Sequence, residues 1–89
     1  MDIKRQRKAI DDIDARLLRL LTQRVKAALG LARLKQKLGL PPRDAAREAE
    51  VLGRARKTAR SPLTPQAAQG IMAAIMRGTR ASVRKRKRA

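Results

Sequence analysis

The sequence predicts an all-α fold: a three-helix protomer with one long N-terminal helix, assembled as an intertwined helical homodimer. Three observations carry this. No segment alternates apolar and polar residues with a period of two, so no half-buried strand is expected. Apolar residues instead recur at helical spacing from Ile10 to Ala32. Two breaks rich in Gly and Pro, "GLPP" and "SPLTP", then divide the chain into three stretches.

The first helix is expected to begin near residue 3 to 5 and to run to about Leu38. Gly39 suits the C′ position, and "GLPP" bars continuation. On a helical wheel with Ile10 at the origin, Ile13, Leu17, Leu20, Leu21, Val25, Ala28, Leu31 and Ala32 fall within roughly 80° of it, as a core-facing stripe should. Arg5, Lys8, Arg16, Arg19, Lys26, Arg33 and Lys37 take the opposite face. Arg24 and Lys35 break the pattern, because both lie near the middle of the apolar arc. Gly30 is tolerated inside the helix at about 1 kcal/mol relative to Ala.

Asp44 is the expected N-cap of a second helix over "AAREAEVLGRARKTAR", with Ala45, Ala49, Val51, Leu52 and Ala55 as its apolar positions. Thr64 caps a third helix with Pro65 at its first position. That helix is expected to carry Leu63, Ala67, Ile71, Ala74, Ile75 and Val83. Residues 1–83 form the helical domain, and 84–89 are expected to be a disordered basic tail. The long apolar stripe exceeds what two short neighbours can cover in 89 residues. A second copy of the chain is the simplest cover.

Composition excludes several chemistries. The chain has no Cys and no His, so it lacks a disulfide framework, a thiolate metal site and the commonest neutral-pH base. No metal is expected. It has no Phe, Tyr or Trp, which counts against binding single strands or RNA by base stacking. No apolar run approaches the ~18–20 residues of a membrane span, and the N-terminus lacks a signal-peptide apolar region. A cytoplasmic chain with no membrane partner is expected. The net charge is +17, unevenly spread. Residues 51–89 hold 11 bases and no acid, five of the bases being consecutive from Arg84 to Arg88. Such a run is either a solvated tail or a docking element for a polyanion or a protein partner.

Arg24 and Lys35 are eleven residues apart, about three turns and ~16 Å along one face. Two long side chains leaning together there can clasp a small dicarboxylate anion. The alternative is a pair of structural cations, ion-paired or reaching off the stripe edge. A buried cation is costly unless paired, and the acids of this helix, Asp11, Asp12 and Asp14, lie too far away. Arg7 is ~25 Å before Arg24. It cannot join that site in its own chain, whereas the partner's Arg7 in an antiparallel dimer can; otherwise it is an ordinary solvated arginine. "RDAAREAE" adds Arg43, Asp44, Arg47 and Glu48. The helix dipole alone favours an N-cap Asp and a first-turn Glu, but free N–H groups at the same terminus can also help hold a polar ligand.

Taken in order, "RKAIDDIDARLLRLLTQR", "LARLK", "GLPPRDAAREAEVL" and "IMAAIMRGTR" resemble the all-helical class of chorismate mutases over about residues 3 to 83. The resemblance implies an intertwined homodimer with two active sites, and the rearrangement of chorismate to prephenate on the shikimate pathway to aromatic amino acids. That pericyclic step uses no cofactor, metal or covalent intermediate. By matching position, Arg24 and the partner's Arg7 hold the two substrate carboxylates, and Lys35 donates to the ether oxygen and a carboxylate. Glu48, with the backbone at Asp44, holds the ring hydroxyl; Arg47 supports the wall; Thr79 sits near a carboxylate. One position departs. Four residues beyond Thr79 the family usually has a Gln or Glu that donates to the ether oxygen, and this chain has Val83, which cannot. Low intrinsic activity is the first expectation; the others are that Ser82 or another group stands in, or that the scaffold serves a related reaction or a partner-activated state. Alternatives are lyase chemistry on isochorismate, mutase action on an amino analogue, a regulatory partnership with another shikimate-pathway enzyme, or a basic helical nucleic-acid-binding protein.

Overall fold

The computed structural model describes residues 2–88, and the side chains of 2–86. They form three α-helices: α1 over Ile3–Lys37, α2 over Ala45–Thr58 and α3 over Pro65–Arg88. Each boundary has a local cause. Asp2 caps α1, its carboxylate accepting from Lys4 N–H at 3.0 Å. The helix ends in a Schellman motif: Gly39 adopts φ 68°, its N–H donates to Gln36 O, and Leu40 N–H donates to Lys35 O at 2.9 Å. Only a residue without Cβ takes that left-handed conformation cheaply, which is why the turn needs glycine here.

Asp44 caps α2 as expected, accepting from Arg47 N–H at 3.0 Å. Thr64 caps α3, its hydroxyl accepting from Ala67 N–H at 3.1 Å. The second helix closes at Thr58, two residues short of the expected stretch, because Ala59 turns to extended backbone (ψ 138°) ahead of Ser61–Pro62. The third passes Val83 and stays helical to Arg88. The Arg/Lys run contains no Gly or Pro to stop it, so residues 84–88 extend α3 instead of leaving it at the expected tail boundary. Ala89 lies outside the described residues.

The protomer is a flat layer of 56 × 30 × 14 Å. The central helix is α3, which packs on both α1 and α2, while α1 and α2 do not pack on each other. The only buried apolar residues among those described are Ala68 and Met76, both on α3 and each still 9% exposed. Half-buried Met72 and Ile75 flank them, whereas Ala67, Ile71 and Ala74 stay exposed. The expected α3 face is thus only partly covered: Ile71 is exposed at the edge of a hollow beside α2, and burial on α3 is greatest along Ala68, Met72, Ile75 and Met76.

The α1 stripe divides in two. From Leu21 onward Val25, Ala28 and Ala32 are half-buried. Before that, Ile3, Ile10, Ile13, Leu17 and Leu20 are 48–70% exposed. Ile3, Ile10, Leu17, Leu31 and Leu38 recur at multiples of seven, and Arg24 occupies the one place in that series where an apolar residue is missing. A seven-residue apolar repeat is a pattern found at helix-pair seams.

Candidate active site

The geometry centres on Arg24. Its guanidinium reaches α3, where Nη1 donates to Thr79 Oγ1 at 2.8 Å, and the Thr79 hydroxyl donates on to Ile75 O at 2.8 Å. The stripe cation is therefore neither ion-paired nor free. It spends one of five donors on a neighbouring helix and keeps the rest available. Thr79, Arg24 and Lys35 are all half-buried.

Two adjoining hollows meet at the Arg24–Thr79 bond. One, of about 610 Å³, has Ala28, Leu31, Ala32 and Val83 on its walls, Lys35, Arg43, Arg80 and Arg84 as its cations, and Gln36 and Thr79 as neutral polar groups. The other, of about 680 Å³, lies between α2 and α3 and is edged by Arg24, Arg47, Arg54 and Arg60. Both fall within the size range of small-molecule sites. Neither is lined by an acid. An apolar floor whose charged lining is all cationic suits a compact organic anion, since low-dielectric walls strengthen each charge–charge contact.

Lys35 sits in the last turn of α1, where the helix dipole favours a cation. Its backbone carbonyl is fixed by the Schellman turn, and its Nζ donates to Pro42 O at 3.2 Å across the α1–α2 loop. Arg24 and Lys35 thus stand on one side of α1, held by different neighbours. Asp44 serves as the α2 cap. Arg47 lies on the hollow nearer Arg24 and pairs with Glu50 at 2.8 Å, an acid it shares with Arg54.

Glu48 is 21% exposed and carries two arginines: Arg43 Nε on Oε1 at 3.0 Å and Arg80 Nη1 on Oε2 at 2.7 Å. The role of Arg80 was not legible in the sequence. Its partner is 32 residues away on another helix, and the chain's abundance of arginine hides any single one. Its place one turn before Val83 was the available sign. Val83 is half-buried and lines the 610 Å³ hollow with Lys35. Arg7 is exposed on the uncovered half of α1 and lines neither hollow. Among the described residues no cluster of acids could hold a metal ion, and no helix is long and apolar enough to cross a membrane.

Residues 6–84 match the family model described as chorismate mutase type II. The chain belongs to that family. A chorismate mutase of Methanocaldococcus jannaschii is 41% identical over 51 residues, which cover 57% of this chain and 52% of that protein. The chain therefore spans about half the length of the curated relative it matches. The solved structure of chorismate mutase (form II) from Thermus thermophilus superposes with a TM-score of 0.87 at 27% identity, covering 92% of this chain and 93% of that one. The all-helical chorismate mutase resemblance read from the ordered segments is borne out, and so is the three-helix protomer.

Proposed function

We propose that the chain is a chorismate mutase whose active site is shared between two copies. The observation that carries the reading is the pair of hollows joined by the Arg24–Thr79 bond, with Arg24 and Arg47 on one and Lys35 and Thr79 on the other, within a scaffold of this family. Chorismate is a dianion. Arg24 and the partner's Arg7 take its carboxylates, and Thr79 keeps Arg24 aimed. Charge develops on the breaking ether oxygen in the transition state, and Lys35 donates to it. Glu48 and the backbone at Asp44 take the ring hydroxyl, while Arg47 holds the wall. Catalysis is then the confinement of a chair-like conformer together with preorganised positive charge.

The second copy is supported by burial. A chain with two buried apolar side chains among its described residues, and Ile3, Ile10, Ile13, Leu17 and Leu20 facing outward, has left most of its stripe uncovered. The seven-residue repeat suits pairing with another α1, and Arg7 lies on the uncovered part.

Adding chorismate to the purified protein and following its loss, with the appearance of prephenate, tests the reading. Turnover above the spontaneous rate supports it, and no acceleration overturns it. Parallel assays with isochorismate and an amino analogue of chorismate separate this activity from its relatives.

A further inference from the structure

Glu48 is the most heavily engaged acid that crosses between elements. Arg43, from the loop before α2, bonds one of its oxygens, and Arg80, from α3, bonds the other at 2.7 Å. Arg47 and Arg54 meet a different acid, Glu50, on the same helix and mostly in solvent. The Glu48 arrangement differs in two ways. It ties three separate segments together, and its carboxylate is only 21% exposed. Both arginines also line the hollow that holds Lys35, Thr79 and Val83.

A glutamate side chain has three torsions, and an unrestrained one samples several positions on a helix surface. Two donors from different directions remove that freedom. A carboxylate offers about four lone-pair sites, so two bonds still leave acceptor capacity for a ligand hydroxyl. Each bond is charge-assisted and therefore strong for its kind. Two guanidinium groups on one carboxylate also leave the cluster net cationic, which suits a dianionic ligand beside it.

We propose that Arg80 is a positioning residue of the active site: with Arg43 it clamps Glu48 so that the carboxylate meets the substrate's ring hydroxyl in a fixed orientation. This rests on the chorismate mutase reading above. Arg80 acts through Glu48, so its contribution depends on Glu48 being a carboxylate. A cation acting only by general attraction would contribute regardless of what stands at position 48.

The experiment is a double-mutant cycle on the full chain, with R80M, E48Q and the double variant assayed on chorismate and kcat and KM resolved separately. R80K is a fourth variant, and thermal unfolding of each is followed alongside. R80M is expected to lower kcat/KM about tenfold, mainly by raising KM. In the E48Q background the same change should move kcat/KM less than about twofold. R80K, which keeps the charge but not the planar fork, should recover part of the R80M loss. An R80M loss of the same size in both backgrounds overturns the proposal, as does R80M kinetics equal to those of the unsubstituted chain. An R80M loss that follows a lowered Tm and is not recovered by R80K also overturns it. Absence of turnover in the unsubstituted chain overturns the mutase reading and the Arg80 role together; turnover with no coupling to Glu48 removes only the role of Arg80.

Discussion

Arg24 on α1 and Thr79 on α3 are joined by a 2.8 Å hydrogen bond, and the Thr79 hydroxyl donates its own proton to the Ile75 carbonyl. The relay fixes one rotamer of a long cation that would otherwise wander over the hollow. T79V keeps the shape and removes the acceptor. It should lower kcat/KM about tenfold, the scale of one hydrogen bond to a charged group. R24A should cost more, about 10²–10³, because it also removes a group proposed to meet a substrate carboxylate. Steady-state kinetics on chorismate checks both. A T79V variant with unchanged kinetics would make the relay incidental.

Val83 lines the same hollow as Lys35 and offers no donor at its own position. V83Q should raise kcat by about tenfold or more, since one such donor is typically worth about 10²–10³. The expected gain is set below that full range because the new amide must also be held in place. An unchanged or lower kcat would mean that the ether oxygen is served by another group.

The basic run should be dispensable beyond its first residue. Arg84 lines the 610 Å³ hollow, so the structure moves the useful truncation point to Lys85. Removing residues 85–89 should leave kcat/KM within about threefold, whereas a polyanion-binding function would collapse with them and show a steep salt dependence. Activity and filter-binding assays over a salt series distinguish the two outcomes.

Gly30 is exposed, and a Cβ built there meets nothing within 4 Å. G30A should stabilise the chain by about 1 kcal/mol, read as a higher urea midpoint at constant m. A loss of stability instead would show that a second chain approaches this turn closely.

L17D places a charge at the centre of the exposed seam, where Leu17 is 48% exposed in the single chain. Analytical ultracentrifugation should show the unsubstituted protein as a dimer and the variant as a monomer. The variant's kcat/KM should fall by more than about 100-fold, as expected when the partner's Arg7 and the seam are lost together. A fully active monomer would overturn the shared site.

Helix boundaries were legible because their causes are local. Asp44 and Thr64 bond N–H groups three residues on, and Gly39 supplies a left-handed turn at the end of α1. The misplaced cations Arg24 and Lys35 were legible from periodicity, since a charge in an apolar arc stands out. Their actual partners were not. Thr79 is 55 residues from Arg24, and Arg80 is 32 from Glu48; only packing of α3 on its neighbours brings each pair together. The face of α3 was misjudged for a related reason. Leu63 and Ile71 read as core, yet both are exposed and line the 680 Å³ hollow. Hydropathy marks a surface that must be covered without saying whether the same chain covers it.

The thin core has a consequence for when the protein works. With only Ala68 and Met76 buried among the described residues, a lone chain should have little stability of its own, so folding and pairing would be one mass-action equilibrium. Specific activity would then rise with total protein and fall on dilution, even with substrate saturating. Abundance itself would act as the control: halving expression would cost more than half the flux, without an effector site of any kind.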